Sequence, residues 1–191
     1  MALTPSSMVP LGTEAPDFSL VEPRTGHEVS LADVSRSKDA LLVMFICNHC
    51  PFVVHVNEEL VRLGHDLTER NVGVVAISSN DVESHPQDGP ELMAEHAEQL
   101  GYPFPYLFDA DQSVALAYSA RCTPDFFLFD RERKLAYRGQ LDSSRPGSSI
   151  PCDAQDLRAA VDAVLDGKGP VETQRPSAGC NIKWSPGNEP E

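Results

Sequence analysis

Cys47-Asn48-His49-Cys50-Pro51 is the stretch of this sequence with the clearest chemical content. Two cysteines separated by two residues can close a disulfide and open it again. The apolar run Ala40-Leu41-Leu42-Val43-Met44-Phe45-Ile46 precedes them, and a segment of helical periodicity follows. The pair is therefore expected where a strand ends and a helix begins. A helix N-terminus presents unpaired N–H donors and a partial positive charge. Both stabilise a thiolate, the species that attacks a disulfide. A second thiol one turn away can then displace the first from a mixed disulfide. The chemistry implied is reversible thiol redox exchange.

The elements that must position this pair have to fit in 191 residues, enough for one domain with a sizeable core. A net charge of -14 argues against a nucleic-acid partner, which calls for a basic surface. It also disfavours anionic membranes, and no apolar run is long enough to span a bilayer. Residues 1–12 contain no lysine or arginine and no apolar stretch, so they do not read as a signal peptide. Five cysteines, an odd number, argue against a structural disulfide framework and for reduced thiols in a cytoplasm.

Along the chain, residues 15–20 read as extended because Pro16 turns its predecessor away from helix. Thr25-Gly26 supplies a turn, and residues 27–31 return as a second short strand. Residues 39–46 are unbroken apolar sequence, as in a parallel strand covered on both faces. Phe52, Val56, Leu60, Leu63 and Leu67 then recur at helical spacing behind Pro51, which suits a first turn. Glu58, Glu59, Arg62, Asp66, Glu69 and Arg70 make that helix's wet face. Residues 72–78 form another buried strand, 79–90 a loop, and 91–100 a helix with Leu92, Met93, Ala97 and Leu100 inward. A short strand at 106–108 and a short helix at 112–119 precede a hairpin of 125–130 and 134–139. A loop at 142–150 leads to a helix at 153–165, closed by Gly167. The expected organisation is a loose arm at 1–11, a domain at 12–167 and an irregular tail at 168–191.

With these residues in place, the chain resembles the thioredoxin superfamily, in the redoxin branch related to alkyl hydroperoxide reductase/thiol-specific antioxidant proteins. The resemblance rests on Gly12-Thr13-Glu14-Ala15-Pro16-Asp17-Phe18 with Val29-Ser30-Leu31, on the Cys47–Pro51 motif, and on Thr123-Pro124 before Phe126–Phe129. It spans residues 12–167. Gly179-Cys180-Asn181-Ile182-Lys183-Trp184 also resembles the tail of an uncharacterised thioredoxin-like subgroup. The resemblance implies an α/β domain with a central mixed sheet flanked by helices and an N-terminal β-hairpin extension. It implies a cis Thr123-Pro124 bond, rare outside proline, facing the redox pair and offering the Thr123 backbone to a substrate segment.

Carried over residue by residue, the resemblance makes Cys47 the attacking thiol at an exposed edge and Cys50 the more buried resolving thiol. His49 matches the Cys-x-His-Cys motif of protein disulfide isomerases, where it stabilises the first thiolate. That would move the potential from about −270 mV toward about −180 mV. Asn48, Thr123 and Pro124 are the expected substrate contacts. Cys122 and Cys180 are possible accessory thiols, although a free cysteine is commonly a small buried hydrophobe. Cys152 reads as incidental, and Asp109 and Asp111 as turn and cap residues.

Departures from the family bear on function. Thioredoxins carry a buried acid six residues before the first cysteine, where Leu41 stands here. The proton acceptor for Cys50 is then water or, as a guess, His55. The peroxiredoxin pattern Pro-x-x-x-Thr/Ser-x-x-Cys fits neither cysteine, since Cys50 is preceded by Cys47 and Val43, and Cys47 by Met44 and Ala40. Arg121 is offset from the peroxiredoxin arginine. The expected function is a thiol–disulfide oxidoreductase with no cofactor beyond its redox-active disulfide, exchanging with protein or small-molecule disulfides and an external thiol reductant. A thiol peroxidase is the first alternative. A Cu/Zn-binding redoxin using Cys47, His49, Cys50 and His55, with Cys122 as an additional candidate, is the second, although copper-delivery relatives use a spacing one residue longer.

Overall fold

The computed structural model describes residues 3–171 and 173–190. In chain order the elements are β1 (Leu3–Pro5), β2 (Ser19–Val21), β3 (Glu28–Ser30), α1 (Leu31–Ser35), β4 (Ala40–Phe45), α2 (Pro51–Glu69) and β5 (Val72–Ser78). A 3-10 turn (Pro86–Asp88), α3 (Pro90–Leu100), β6 (Tyr106–Phe108), α4 (Ser113–Ala117) and β7 (Cys122–Thr123) follow. The chain then forms β8 (Asp125–Asp130), β9 (Leu135–Gly139), α5 (Gln155–Leu165) and β10 (Ala178–Asn181). Among the described residues no helix is long and apolar enough to cross a membrane.

β4 lies in the middle of a seven-stranded mixed sheet of order β3-β2-β6-β5-β4-β8-β9. It runs parallel to β5 and antiparallel to β8. Successive side chains of a strand point to opposite faces, and here both faces are covered. Leu42, Met44 and Ile46 join one core layer with Val53, Val56, Leu60, Leu63 and Leu67 of α2. Leu41, Val43 and Phe45 join the other, with Tyr118, Phe127 and Phe129. That double burial is why the run is apolar at every position. Parallel pairing of β4 with β5 requires a crossover, and α2 supplies it. Antiparallel pairing sets Phe45 opposite Asp125, so the chain leaving β4 passes the chain entering β8.

Several expectations need correction. Glu59, assigned to the wet face of α2, is buried and holds Arg62 at 2.7 Å and Arg158 of α5 at 2.8 Å. Leu92, assigned inward on α3, is exposed, and Met93 and Ala97 carry the contact. α1 is an additional helix, started by a capping box in which Ser30 and Asp33 bond each other's backbone.

The largest difference lies at the two termini. The expected arm and the otherwise irregular tail each contribute a strand, because β10 lies between β1 and β7 in a second, three-stranded sheet. Leu3 pairs with Cys180 and Pro5 with Ala178 on one side; Cys180 pairs with Thr123 and Asn181 with Cys122 on the other. Strands of two to four residues carry no readable alternation, so tertiary partners decide them.

Candidate active site

Cys47 follows the end of β4 by two residues, and Cys50 is the N-cap of α2 with Pro51 at its first position. The register of β4 with β8 brings Thr123-Pro124, a cis peptide, alongside. Thr123 touches both sulfurs: Cys47 Sγ lies 3.6 Å from Thr123 Oγ1, and Cys50 Sγ donates to the Thr123 carbonyl at 3.2 Å. All five cysteines are free thiols. Cys47 does not stand at an exposed edge: it is 2% exposed, against 0% for Cys50. The cap position, where the helix N–H groups and dipole act, also belongs to Cys50 rather than to Cys47.

The two sulfurs meet on Thr123, and their ionisations are coupled. Cys47 pulls Cys50 down, and Cys180 and Thr123 add to this against the cost of burial. Cys47 is pushed up by Cys50, then by burial and by the charge of Asp88. The dithiol loses its first proton more readily than its second. Two groups coupled this closely titrate as a pair. Passing the shared proton from Cys47 to Cys50 places the charge on Cys47.

His49 is tied to a residue the sequence reading missed. Its Nδ1 lies 2.6 Å from Asp88 Oδ2 and 3.9 Å from Cys47 Sγ. Against a carboxylate at that distance Nδ1 carries the proton and donates its hydrogen bond to Asp88, with the Cys47 sulfur beside the same nitrogen. Asp88 is fully buried and also accepts from the Asn48 N–H at 2.9 Å and Asn80 Nδ2 at 2.8 Å. The His49 ring stacks on His85 with centroids 5.2 Å apart. Asp88 lies 39 residues beyond His49 in a 3-10 turn, and no spacing or motif marks it.

The other expected residues divide clearly. The Asn48 side chain is committed internally, donating to the Gln87 carbonyl at 2.9 Å and accepting from Tyr106 OH at 3.1 Å. The Thr123 backbone does not lie open to a substrate segment, since β10 pairs with it. Cys180 reaches the site: it stands opposite Thr123, whose carbonyl holds the Cys50 thiol, and it and Cys50 shift each other's ionisation. Cys122 is fully buried, with Sγ 3.7 Å from the Pro124 carbonyl and its ionisation suppressed by burial. It behaves as a core side chain. Cys152 is half-buried in the loop before α5, its thiol pushed up by burial to about 11.

His55 bonds Ser144 Oγ at 2.9 Å, and Leu41 packs in the core layer opposite the cysteines. The ligand atoms that come together are those of Cys47, His49 and Asp88, within 4.8 Å of one another, rather than the cysteine-rich set with His55. Hydrogen bonds already engage both Asp88 oxygens, so the arrangement reads as a network that holds the motif loop.

The sequence profile of the AhpC/TSA family matches residues 11–138, more than half of the chain. The chain belongs to the AhpC/TSA family. This AhpC/TSA protein is 29% identical over 131 residues to the thiol-disulfide oxidoreductase ResA of Geobacillus kaustophilus, covering 67% of this chain and 68% of that one. An uncharacterized conserved protein of Geobacillus kaustophilus has a solved structure 55% identical to it, at a TM-score of 0.95 over 97% of this chain and 98% of that one. The hypothetical protein SMc02350 of Sinorhizobium meliloti 1021 is 51% identical, at a TM-score of 0.93 over 96% and 100% of the two chains. More distant redoxin structures share the thioredoxin-like fold.

Proposed function

We propose that this AhpC/TSA protein is a thiol–disulfide oxidoreductase whose working group is the Cys47/Cys50 dithiol. The observation that carries the reading is the meeting of both sulfurs, as free thiols, on Thr123 at the start of α2. Cys47 Sγ attacks one sulfur of a substrate disulfide as the shared proton moves to Cys50. The substrate S–S bond breaks, a mixed disulfide forms on Cys47, and the leaving thiolate takes a proton from solvent. Cys50 Sγ then attacks Cys47 Sγ, closing the Cys47–Cys50 disulfide and releasing the second substrate thiol. The substrate gains two electrons and the protein loses two. An external thiol reductant restores the dithiol, and no other cofactor takes part.

Disulfides of proteins or small molecules in a reducing cytoplasm are the proposed partners. With β10 docked, contact runs along the Asn48–His49 loop and around Pro124, without strand addition to Thr123. His49, held by Asp88, keeps the motif loop in shape beside Cys47.

The test is a redox titration in defined thiol buffers, with free thiols trapped by an alkylating mass tag and mapped by peptide. A two-electron transition joining Cys47 to Cys50, abolished in Cys47→Ser, is expected. A pair that stays reduced throughout would remove the reading. Hydroperoxide turnover through a Cys47 or Cys50 sulfenic acid, with no exchange with disulfides, would replace it with a peroxidase.

A further inference from the structure

We propose, resting on the dithiol reading above, that Cys180 is a third thiol of the redox centre and accepts the disulfide from Cys47. The tail is built to place it. β10 is clamped between β1 and β7, with Cys180 opposite Thr123, the residue whose carbonyl receives the Cys50 thiol. Cys50 and Cys180 belong to the same buried core cluster, and each thiol shifts the ionisation of the other.

The flanking residues serve this placement. A Cβ at Gly179 would stand 2.0 Å from the Thr123 carbonyl oxygen, so only glycine lets the strand approach so closely. On one side of Cys180, Ser177 Oγ donates to the Pro124 carbonyl at 2.6 Å. On the other, the Lys183 N–H donates to Asn80 Oδ1 at 2.8 Å, and Asn80 in turn bonds Asp88 behind His49. The tail thus joins the network that holds the Cys47–Cys50 loop.

The step is an internal exchange. After a substrate has been reduced, Cys180 Sγ attacks Cys50 Sγ of the Cys47–Cys50 disulfide. The Cys47–Cys50 bond breaks, the Cys50–Cys180 bond forms, and the proton of Cys180 passes to Cys47. No electrons enter or leave, and no outside oxidant is needed. Cys47 becomes a free thiol again, while the oxidising equivalent rests on a bond that fastens β10 to the start of α2.

The experiment uses the full chain, half-oxidised in mixtures of reduced and oxidised dithiothreitol, quenched in acid, alkylated and mapped by peptide. Two linkages are expected in the wild type, Cys47–Cys50 and Cys50–Cys180, the second accompanied by an alkylated Cys47. Gly179→Ala keeps the thiol but displaces the strand, and should lose the second linkage while keeping the first. Cys180→Ser, nearly isosteric, should show the first alone. Cys180 alkylated in every oxidised wild-type molecule would overturn the proposal and leave the dithiol reading standing. An undiminished Cys50–Cys180 linkage in Gly179→Ala would overturn the role given to the strand. Cys47 and Cys50 both reduced under all conditions would remove the two readings together.

Discussion

Asp88 acts on the redox pair in two opposing ways. Its carboxylate fixes His49, Asn48 and Asn80, which shapes the motif loop, and its charge pushes the Cys47 thiol up. A nearby anion disfavours a thiolate, so Asp88→Asn is expected to lower the pH at which Cys47 becomes reactive. The same substitution breaks a buried hydrogen-bond set and should cost about 1–3 kcal/mol of stability. The pH profile of Cys47 alkylation, followed by peptide mapping, together with urea unfolding, separates the two effects. An unmoved profile would mean that the charge of Asp88 does not reach the sulfur. Cys47, Cys50, His49 and Thr123 were legible in the sequence because strand, motif and helix are contiguous and the Thr-Pro pair is conspicuous. Asp88 was not, because a lone acid in a loop reads as solvated until the fold buries it against the imidazole.

At the scale of elements, β8 and β9 carry a buried ion pair directly behind the site. Asp125 opens β8 and Arg138 lies on β9; their side chains are fully buried with the charges 3.7 Å apart. Asp125 Oδ1 and Arg138 Nε and Nη1 have no partner among the described residues. Burial lifts the Asp125 carboxyl from its ordinary 3.8 to about 7, against the opposing pull of Arg138. A carboxyl raised on folding binds its proton more tightly in the folded state. Its contribution to stability is full below about pH 4 and is lost as pH rises through about 7. From pH 5 to pH 8 the wild type should therefore lose about 2–3 kcal/mol more than Asp125→Asn. Urea unfolding at the two pH values checks this, and parallel losses would show that Asp125 does not titrate there. The strands that carry such side chains were readable where burial on both faces made them continuously apolar, as in β4, β5 and β8. β1, β7 and β10 were not, because two to four residues gain their pairing only from neighbours distant in sequence.

At the scale of the molecule, the ends of the chain belong to the active-site end of the fold. Cys180 and Ile182 are buried, in the two different core layers, so β10 and the residues after it touch both sides of the main sheet. The sequence boundary at residue 167 would leave an intact domain if the tail were irregular. The observed pairing instead makes residues 178–182 the cover of Thr123, on which Cys50 rests. A chain stopped after residue 176 loses the partner of β1, the hydrogen bond from Ser177 to Pro124 and the buried Ile182 side chain. Fully burying one such side chain is worth about 1.5–3 kcal/mol, so the truncation should lower unfolding stability by at least about 2 kcal/mol. Cys50, now without its cover, should react with alkylating agents many times faster, whereas Cys152, in the loop before α5 and away from β10, should keep its rate. The Cys152 rate is therefore an internal control for general unfolding. A shortened chain with wild-type stability and a Cys50 as protected as before would mean that β10 rests on the domain without closing it. Faster labelling of Cys50 alone would place the tail as the gate of the redox centre, opened by undocking a strand whose closest contact is the Gly179–Thr123 approach.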